Sequence, residues 1–279
     1  MHPNERVGFK VLHEDSDLVV VLKPAGLVTQ PGAGHERDSL LNGLFARHGA
    51  ALQKLGSARD FGLLHRLDRE TSGLLVVALR PASYDALRKG FEARRVGKYY
   101  WAVGYGTPRT PTGVVRLPLN EVQARPEGRG SPHAPAMKLS KVSRAGKAAV
   151  TAYRVLSSGK GACLLECRTL TGRLHQVRVH MAAIGCPILA DGLYAPPALH
   201  SLSPRLALHA HRLVLPHPDG RRLDCRSGWP ADLRNVLKRF ELTRPEGSDR
   251  AVFLAPGPVE STEELNDHGV GDQHPGVGQ

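Results

Sequence analysis

Apolar residues in this chain fall into two kinds of pattern, which predict two kinds of secondary structure. Short continuous apolar runs bounded by turn residues are typical of buried strands, whereas apolar positions spaced three and four apart are typical of amphipathic helices. The runs predict two short strands around an acidic turn within 11–22, and further strands at 74–79, 98–104, 150–156 and 162–170. The helical spacing predicts helices at 39–45, 82–95 and 173–184, and a last one that Pro230 opens.

Length and composition predict a globular protein that binds a polyanion. The chain has 279 residues, of which 41% are hydrophobic, so it is long enough to bury a large core. Its net charge of +12 is unevenly distributed. The segment after residue 243 contains seven acidic residues and only two arginines, which leaves +17 on residues 1–243. Such an excess of positive charge suits a nucleic acid or an anionic membrane surface.

The same patterns divide the chain into three regions. Residues 1–10 are polar and are expected to be flexible, residues 11–243 carry the predicted elements, and residues 244–279 are a Pro/Gly-rich acidic tail that is expected to be disordered. Within the middle region, the basic, Pro/Gly/Ser-rich segment 123–148 has two interpretations. It is either a mobile arm that orders on contact with a partner or a solvated linker between two halves.

Cysteine usage and hydropathy indicate a cytoplasmic protein. No apolar run approaches the length of a membrane span, and the chain does not open with a basic and then apolar leader. The cysteines Cys163, Cys167, Cys186 and Cys225 show neither zinc-finger spacing nor a Cys-x-x-Cys pair. We interpret them as small core residues in a reducing compartment, without a metal or disulfide role.

The most informative stretch, 64–78, places a carboxylate at the entrance to a core strand. Asp68 stands between Arg66 and Arg69, a polar turn follows, and an apolar run then predicts the strand. Nearby guanidinium groups favour the ionised form of a carboxyl group, and an ionised aspartate on a rigid strand end can act as a nucleophile or a base. The alternative is a structural Arg–Asp pair that only fixes a turn.

Three further residues carry candidate chemistry, each with an alternative. Tyr100, in a predicted strand, can stack on a base and move a proton, although such a tyrosine on its own is more typical of a core. Lys23, at a strand end, is either a phosphate contact or a solvated side chain. Arg173 stands at the start of a predicted helix, where backbone donors and positive charge suit an anion.

Taken together, these stretches resemble the signatures of the RluA-type pseudouridine synthases. Residues 65–75 read His-Arg-Leu-Asp-x-x-Thr-Ser-Gly-Leu-Leu, residues 98–102 read Lys-x-Tyr-x-Ala, and residues 171–178 read Thr-Gly-Arg-x-His-Gln-x-Arg. A further family pattern that ends in Lys-Pro-x-Gly matches the segment up to Gly26, and 185–194 follows Gly-His-Pro-Ile-x-Gly-Asp-x-x-Tyr except at Cys186 and Ala190. The resemblance covers roughly residues 11–240, and the ordered co-occurrence of its motifs is far more specific than any one of them.

The resemblance implies both a fold and a site. The fold is an α+β catalytic domain at 11–243, with a mixed, largely antiparallel sheet, flanking helices and a central cleft. By the same resemblance Asp68 is the catalytic residue, Arg173 pairs with it, and Tyr100 lies beside the substrate base. The RNA-contacting residues that it implies are Lys23, His65, Arg66, Arg69, Lys98, His175, Gln176 and Arg178.

The implied activity is the isomerisation of specific uridines to pseudouridine in ribosomal RNA, transfer RNA or both. The target base is extruded from its helix, and Asp68 attacks the ribose, attacks the base or removes a sugar proton, three routes that the residues do not distinguish. No cofactor or metal is expected, and the protein is expected to be a monomer with RNA as its partner. Two alternatives stay open: a non-catalytic RNA-binding or ribosome-assembly protein on the same fold, and a glycosidase or nucleosidase that acts on free nucleosides.

Overall fold

The computed structural model describes residues 1–124 and 137–255. Their strands are β1 (Lys10–Glu14), β2 (Leu18–Lys23), β3 (Ser72–Ala78), β4 (Gly97–Tyr105), β5 (Thr112–Val115), β6 (Leu119–Ala124), β7 (Met137–Val142), β8 (Thr151–Gly159), β9 (Ala162–Thr169), β10 (Leu208–Pro216), β11 (Arg222–Arg226) and β12 (Arg250–Leu254). The helices are α1 (Leu40–Leu55), α2 (Pro81–Glu92), α3 (Gln176–Ala183) and α4 (Arg234–Arg239), with short 3-10 segments at Ser57–Gly62, Pro197–Leu202 and Ala231–Leu233. In these described ranges, none of the helices is long and apolar enough to span a bilayer.

Among the described residues, ten strands form one mixed sheet in which neighbouring strands are antiparallel at every junction but one. The order is β1-β2-β3-β10-β4-β9-β8-β5, and β11 and β12 extend it beside β10. β3 and β10 run parallel, with His209 opposite Ser72, and the second half of β10 pairs with β11 instead. β6 and β7 form a separate two-stranded sheet. The predicted α+β fold with a mixed, largely antiparallel sheet is confirmed.

Two hydrophobic cores pack on the large sheet and meet at Tyr100. One core includes the fully buried side chains of Leu18, Leu44 and Leu75, from β2, α1 and β3. The other includes Leu165 of β9 and residues of α3 and α4. Each fully buried aliphatic side chain contributes about 1.5–3 kcal/mol relative to an exposed one. Tyr100 is partly buried and touches both cores, so the centre of the sheet is where the two halves come together.

The start of α1 holds the N-terminal residues, which were predicted to be flexible. Ser39 Oγ accepts from Asn42 N at 3.3 Å and Asn42 Oδ1 accepts from Ser39 N at 3.0 Å, a capping box. The remaining donor of the amide, Asn42 Nδ2, reaches His2 O at 2.7 Å, and Asn4 N donates to Asn42 O at 3.0 Å. This cap binds the backbone that precedes β1, and the flexibility of residues 1–10 stays a prediction.

Two regions that were predicted to be irregular contain strands. β6 and β7 pair with each other, so the described residues of 123–148 include two paired strands, whereas 125–136 lies outside them. Both interpretations of the segment, as an arm that orders on contact with a partner or as a linker, stay predictions. In the segment predicted as a disordered tail, β12 pairs along its whole length with β11 and covers an otherwise unpaired sheet edge. The folded part of the chain thus extends past residue 243, and residues 256–279 lie outside the described residues.

All four cysteines are buried and free, in agreement with their interpretation as small core residues. The Sγ atoms of Cys163 and Cys186 are 3.5 Å apart. Cys186 stands where the family pattern has histidine, and it packs closely against β4, since a Cβ atom at Gly104 would lie 2.3 Å from its Sγ. A small side chain at 186 and glycine at 104 therefore depend on each other.

Candidate active site

The Asp68 carboxylate lies at the entrance to β3, in a turn that the fold holds on both sides. Thr71 N donates to Asp68 O at 3.1 Å and closes the turn. Thr29 Oγ1 holds the preceding residue, because it donates to Leu67 O at 2.8 Å and accepts from Leu67 N at 3.2 Å. The side chain of Asp68 is 20% exposed. A ligand can therefore reach a carboxylate that stands on a rigid support.

Lys23 supports this turn from inside the protein. Its side chain is fully buried, and Nζ donates to the carbonyl oxygens of Pro24 (2.8 Å), Leu27 (2.7 Å) and Arg69 (3.2 Å). Burial lowers the pKa of Lys23 to about 7, against the opposing attraction of Asp68. The prediction that Lys23 contacts RNA is wrong, because backbone carbonyls occupy its three donors.

Arg178, on the first turn of α3, connects Asp68 to a second carboxylate. Its Nη1 lies 3.4 Å from Asp68 Oδ2, while Nε and Nη2 donate to the two oxygens of Asp191 at 2.8 and 2.7 Å. The side chains of Arg178 and Asp191 are only 5% and 1% exposed. Burial by itself lowers the pKa of Arg178, but the hydrogen bonds and charge of Asp191, together with the charge of Asp68, raise it overall. The guanidinium is thus a rigid cation that orients the Asp68 carboxylate.

The predicted pairing of Arg173 with Asp68 is wrong. Arg173 is exposed, and its Nε donates to Ala148 O at 3.1 Å. The helix that was expected to begin at Arg173 begins at Gln176, directly after a residue in the left-handed conformation with φ 54°. Because the first helical turn starts three positions later than predicted, the arginine that reaches Asp68 from it is Arg178.

Gln176 is the first residue of α3, and all hydrogen-bonding positions of its side-chain amide are occupied by other groups of the protein. Its Oε1 accepts from Thr171 Oγ1 at 2.6 Å and from Arg173 N at 3.1 Å. Its Nε2 donates to Val150 O and to Thr151 Oγ1, both at 2.9 Å. Since an amide side chain offers two donors and two acceptor sites, none is left for RNA. The prediction that Gln176 binds RNA is wrong, and its side chain instead fastens the loop before α3 to the start of β8.

His175 lies between Asp68 and Tyr194. Its Nε2 is 3.9 Å from Asp68 Oδ2, and its Nδ1 is 2.7 Å from Tyr194 Oη. Burial lowers the pKa of His175 despite the nearby charge of Asp68, so the imidazole is neutral at pH 7. Tyr194 also lies 5.1 Å from the Arg178 guanidinium, measured to the ring centroid, and its Oη accepts from Ser140 N at 2.9 Å. Tyr194 therefore contacts both groups that face Asp68.

Tyr100 approaches the site from β4, where it lies opposite Ala210 of β10. Burial raises its pKa, and the charge of Asp68 raises it further. The phenol is therefore neutral at physiological pH, and it lies close enough to Asp68 for the two to interact electrostatically. A neutral, partly buried phenol can stack on a base and hold a proton. The charge of Asp68 thus acts on the phenol, and the place of Tyr100 beside the substrate base stays a prediction.

His65 and Lys98 are largely enclosed. His65 Nε2 accepts from Val76 N at 3.2 Å, and burial lowers its pKa to about 3, so the ring carries no charge for a phosphate. Lys98 Nζ donates to Thr171 O at 3.5 Å and lies 6.0 Å from the centroid of the Phe91 ring. Burial lowers the pKa of Lys98 to about 8, which leaves it mostly charged at pH 7. His65 thus supports β3, whereas Lys98 remains a candidate RNA contact.

Three of the arginines named from the sequence reach the surface: Arg66, Arg69 and Arg173. Arg69 Nε donates to Gly26 O at 3.1 Å, which holds its stem beside the Asp68 turn. Exposed guanidinium groups near a partly open carboxylate suit contacts to the phosphates on either side of a bound nucleotide. These residues remain the strongest candidates for binding RNA.

Asp191 and Tyr194 belong to the site, although the motifs alone assigned them no role. The carboxylate of Asp191 also accepts from Leu193 N at 3.0 Å and Tyr194 N at 3.2 Å. Both residues stand in the Gly-Asp-x-x-Tyr part of the pattern at 185–194, which is the signal that points to them. Ala190, where that pattern has glycine, adopts φ 55°, a conformation that glycine reaches without steric cost. The departure at Ala190 therefore introduces strain but leaves Asp191 in place.

Among the described residues, one group of histidine and aspartate side chains has the spacing of a metal site, and it is not at Asp68. The ligand atoms of Asp15, Asp17 and His217 lie within 4.8 Å of one another. They surround the β1–β2 turn, at the end of β3 that is farthest from Asp68. Asp15 is already bonded to His13 at 2.8 Å and to His217 at 3.0 Å. This group takes no part in chemistry at Asp68.

Comparisons with known proteins agree with this geometry. The model of a family described as RNA pseudouridylate synthase matches residues 17–183. A ribosomal large subunit pseudouridine synthase D of Zymomonas mobilis is 37% identical over 245 residues, which cover 85% of this chain and 74% of the relative. An uncharacterised RNA pseudouridine synthase of Synechocystis is 34% identical over 235 residues, which cover 84% and 69%. The solved structure of human RNA pseudouridylate synthase domain containing 4 is similar with a TM-score of 0.65 and 30% identity, over 85% of this chain and 95% of that one.

Proposed function

Because this chain belongs to the RluA-type family of RNA pseudouridine synthases, we propose that Asp68 is the residue with which it isomerises uridine to pseudouridine. One observation supports this role above others. The Asp68 carboxylate is 20% exposed and lies 3.4 Å from the buried guanidinium of Arg178. A carboxylate that is oriented by a rigid cation and still open to a ligand can act as a nucleophile or a base.

The reaction is a rearrangement within one nucleotide. The bond between ribose C1′ and uracil N1 breaks, a bond between C1′ and C5 forms, and the C5 proton leaves while N1 gains one, so no co-reactant is consumed. Asp68 starts it by attack on the ribose or the base, or by removal of a sugar proton. Tyr100, which is neutral because burial raises its pKa, stacks on the base and limits its motion while the base turns.

We assign large-subunit ribosomal RNA as the substrate. The Zymomonas mobilis relative is named for the ribosomal large subunit. The net charge of +17 on residues 1–243 favours a polyanion, and Arg66, Arg69 and Arg173 are exposed to meet phosphates. Extruding a base from a duplex costs about a few kcal/mol, which phosphate contacts and stacking on Tyr100 offset.

We further assign residues 1–254 to one catalytic domain that acts as a monomer in the cytoplasm. The two cores share one sheet, and β12 protects the edge of β11. Four buried, free cysteines suit a reducing compartment. Light scattering of the purified protein is expected to give the mass of one chain, and cell fractionation is expected to recover it with cytoplasmic markers.

An Asp68→Asn variant tests the proposed activity. Asparagine keeps the size of the side chain but can neither attack nor accept a proton, so kcat is expected to fall by about 10³-fold or more while RNA affinity stays within a few fold. Asp85→Asn, an exposed carboxylate on α2, is the matched control. Pseudouridine is measured by mass spectrometry of digested large-subunit RNA, and free uridine is assayed in parallel.

Three results would overturn the proposal. An Asp68→Asn variant that modifies RNA at the wild-type rate would remove Asp68 from the chemistry. Turnover of free uridine in preference to RNA would indicate a nucleosidase. Cells that lack the protein but retain every pseudouridine in large-subunit RNA would exclude that substrate, and loss of a site in transfer RNA instead would reassign it.

A further inference from the structure

The phenol of Tyr194 joins three separate elements around Asp68. Its Oη accepts from Ser140 N of β7 at 2.9 Å and is 2.7 Å from Nδ1 of His175, the residue before α3. Its ring lies 5.1 Å from the guanidinium of Arg178 within α3. His175 and Arg178 are the two side chains that approach the Asp68 carboxylate, at 3.9 and 3.4 Å. One tyrosine thus connects the β6–β7 sheet to both of these neighbours of Asp68, to His175 through its hydroxyl and to Arg178 through its ring.

The bond from Ser140 comes from a backbone group that the β6–β7 ladder does not use. β7 has β6 as its sole strand neighbour among the described residues, and Ser140 lies opposite Glu121. Strand N–H groups that face away from the partner strand normally bond to water. Here that group is buried and donates to Tyr194, so the position of β7 determines whether Tyr194 Oη has a donor.

The β6–β7 sheet is anchored at its base and lies beside a groove along its length. Leu119 and Lys147 exchange two backbone hydrogen bonds of 2.9 and 2.8 Å where β6 begins. Farther along, a groove of about 440 Å³ lies between the strands and α3, lined by apolar side chains such as Leu139 and Val179. On this side of the sheet, the Ser140–Tyr194 hydrogen bond connects β7 directly to the surroundings of Asp68.

The hydrogen bonds around Tyr194 favour one tautomer of His175. Tyr194 Oη accepts from Ser140 N, so its own hydrogen is free to point to His175 Nδ1, which accepts it as the unprotonated nitrogen. The proton of the neutral ring is consequently on Nε2, which faces Asp68 Oδ2. Without the Ser140 bond, Tyr194 can instead accept from His175 Nδ1, and a lone pair on Nε2 would then face the carboxylate.

We propose that Tyr194 is a positioning residue through which the β6–β7 sheet, held in place by contact with RNA, keeps His175 and Arg178 aligned at Asp68. The inference rests on the proposed function and deepens it by naming the RNA strand beside the target uridine as the ligand of the sheet. Lys138 and Lys141 flank Ser140 on β7 and are exposed, so they attract its phosphates. Binding at these lysines holds β7 against Tyr194, so RNA on the sheet stabilises the arrangement around Asp68 that the structure shows.

Tyr194→Phe tests the positioning role, because it keeps the ring beside Arg178 and removes only the hydroxyl. Single-turnover kcat is expected to fall about 10-fold, with the RNA Kd within twofold of wild type. The double substitution Lys138→Ala/Lys141→Ala is expected to lower kcat in the wild-type background but not further in Tyr194→Phe, since both act through one bond. Tyr153→Phe, whose hydroxyl lies 3.1 Å from Thr110, is the matched control with unchanged kcat.

A second measurement uses the unsubstituted protein. Nitrogen-15 NMR of histidine-labelled protein is expected to show His175 with its proton on Nε2, more completely so with RNA bound, and the signal is assigned by its loss in His175→Gln. An Nδ1-protonated His175, an unchanged kcat in Tyr194→Phe, or additive effects of the lysine and tyrosine substitutions would overturn this inference. If any of these three outcomes is found while Asp68→Asn is inactive, the proposed function still holds, and only the positioning role of Tyr194 is refuted.

Discussion

Replacing Arg178 with alanine is expected to destabilise the fold by about 3–5 kcal/mol, because the change removes one partner of a buried ion pair. Arg178 and Asp191 are 5% and 1% exposed, so solvent cannot substitute for the guanidinium. Asp191 would keep its two backbone donors, Leu193 N and Tyr194 N, which places the loss at the lower end of that range. The contact with Asp68 adds little stability, since that carboxylate is 20% exposed and the distance is 3.4 Å.

The same substitution is expected to lower kcat by about 10²-fold, because Asp68 loses the group that orients it. Arg178→Lys keeps a positive charge but cannot bond both oxygens of Asp191 and reach Asp68 at once, so its kcat is expected to be intermediate. Arg173→Ala is the matched control. It removes an exposed guanidinium, so stability should change by less than about 0.5 kcal/mol, while RNA binding should weaken and its salt-dependence slope should fall by about one.

Two assays separate these effects. Urea unfolding, with m values compared between variants, measures stability, and single-turnover kinetics on large-subunit RNA measures kcat apart from affinity. The assignment of Arg178 as the partner of Asp68 would be refuted by an Arg173→Ala variant that loses more kcat than Arg178→Ala. A change of less than about 1 kcal/mol in Arg178→Ala would show that the pair with Asp191 is not buried as described.

Two further predictions concern the supports of the site. Burial lowers the pKa of His65 from 6.5 to about 3, so between these pH values the unfolded chain binds a proton that the folded chain does not. The free energy of unfolding should therefore fall on acidification, by up to about 1.4 kcal/mol per pH unit from this group. His65→Gln should reduce the slope of the free energy of unfolding against pH. An unchanged slope, measured by urea unfolding at several pH values, would contradict this. Ala190→Gly should raise the free energy of unfolding by about 0.5–1 kcal/mol, since it relieves φ 55° at a smaller entropic cost, and a lower melting temperature would show that Ala190 is not strained.

Local patterns were sufficient wherever an element is defined by its own apolar face. Strands β2, β3, β4, β8 and β9 and helix α2 lie where the apolar runs and spacings predicted them, whereas helix α1 begins as predicted but extends to Leu55, ten residues beyond the predicted end. Asp68 stands at the entrance to β3 for the same reason, because the turn and the strand adjoin it in the chain. Strand β12 could not be found in this way, since its short, half-exposed run is stabilised by the edge of β11.

At the candidate site, local patterns were not sufficient. The motifs assign Asp68 and Tyr100 to one site, and in the structure the charge of Asp68 raises the pKa of the Tyr100 phenol. Arg173 was chosen over Arg178 because the spacing of apolar residues does not show where the first helical turn begins. That start is set by the bonds of Gln176 to β8, a strand more than twenty residues earlier in the chain.

By itself, the sequence determined the family, the presence of an acidic side chain at a strand entrance and the basic character that draws RNA to it. These properties reside in neighbouring residues and in summed charge, which are the same whether or not the chain is folded. Only the tertiary structure decided which side chains surround that acid. The side chain of Lys23 is buried because three carbonyl oxygens accept hydrogen bonds from it. Tyr194 accepts a hydrogen bond from Ser140, 54 residues away in the chain. Contacts of this kind depend on how the elements pack in space, and spacing along the chain does not encode them.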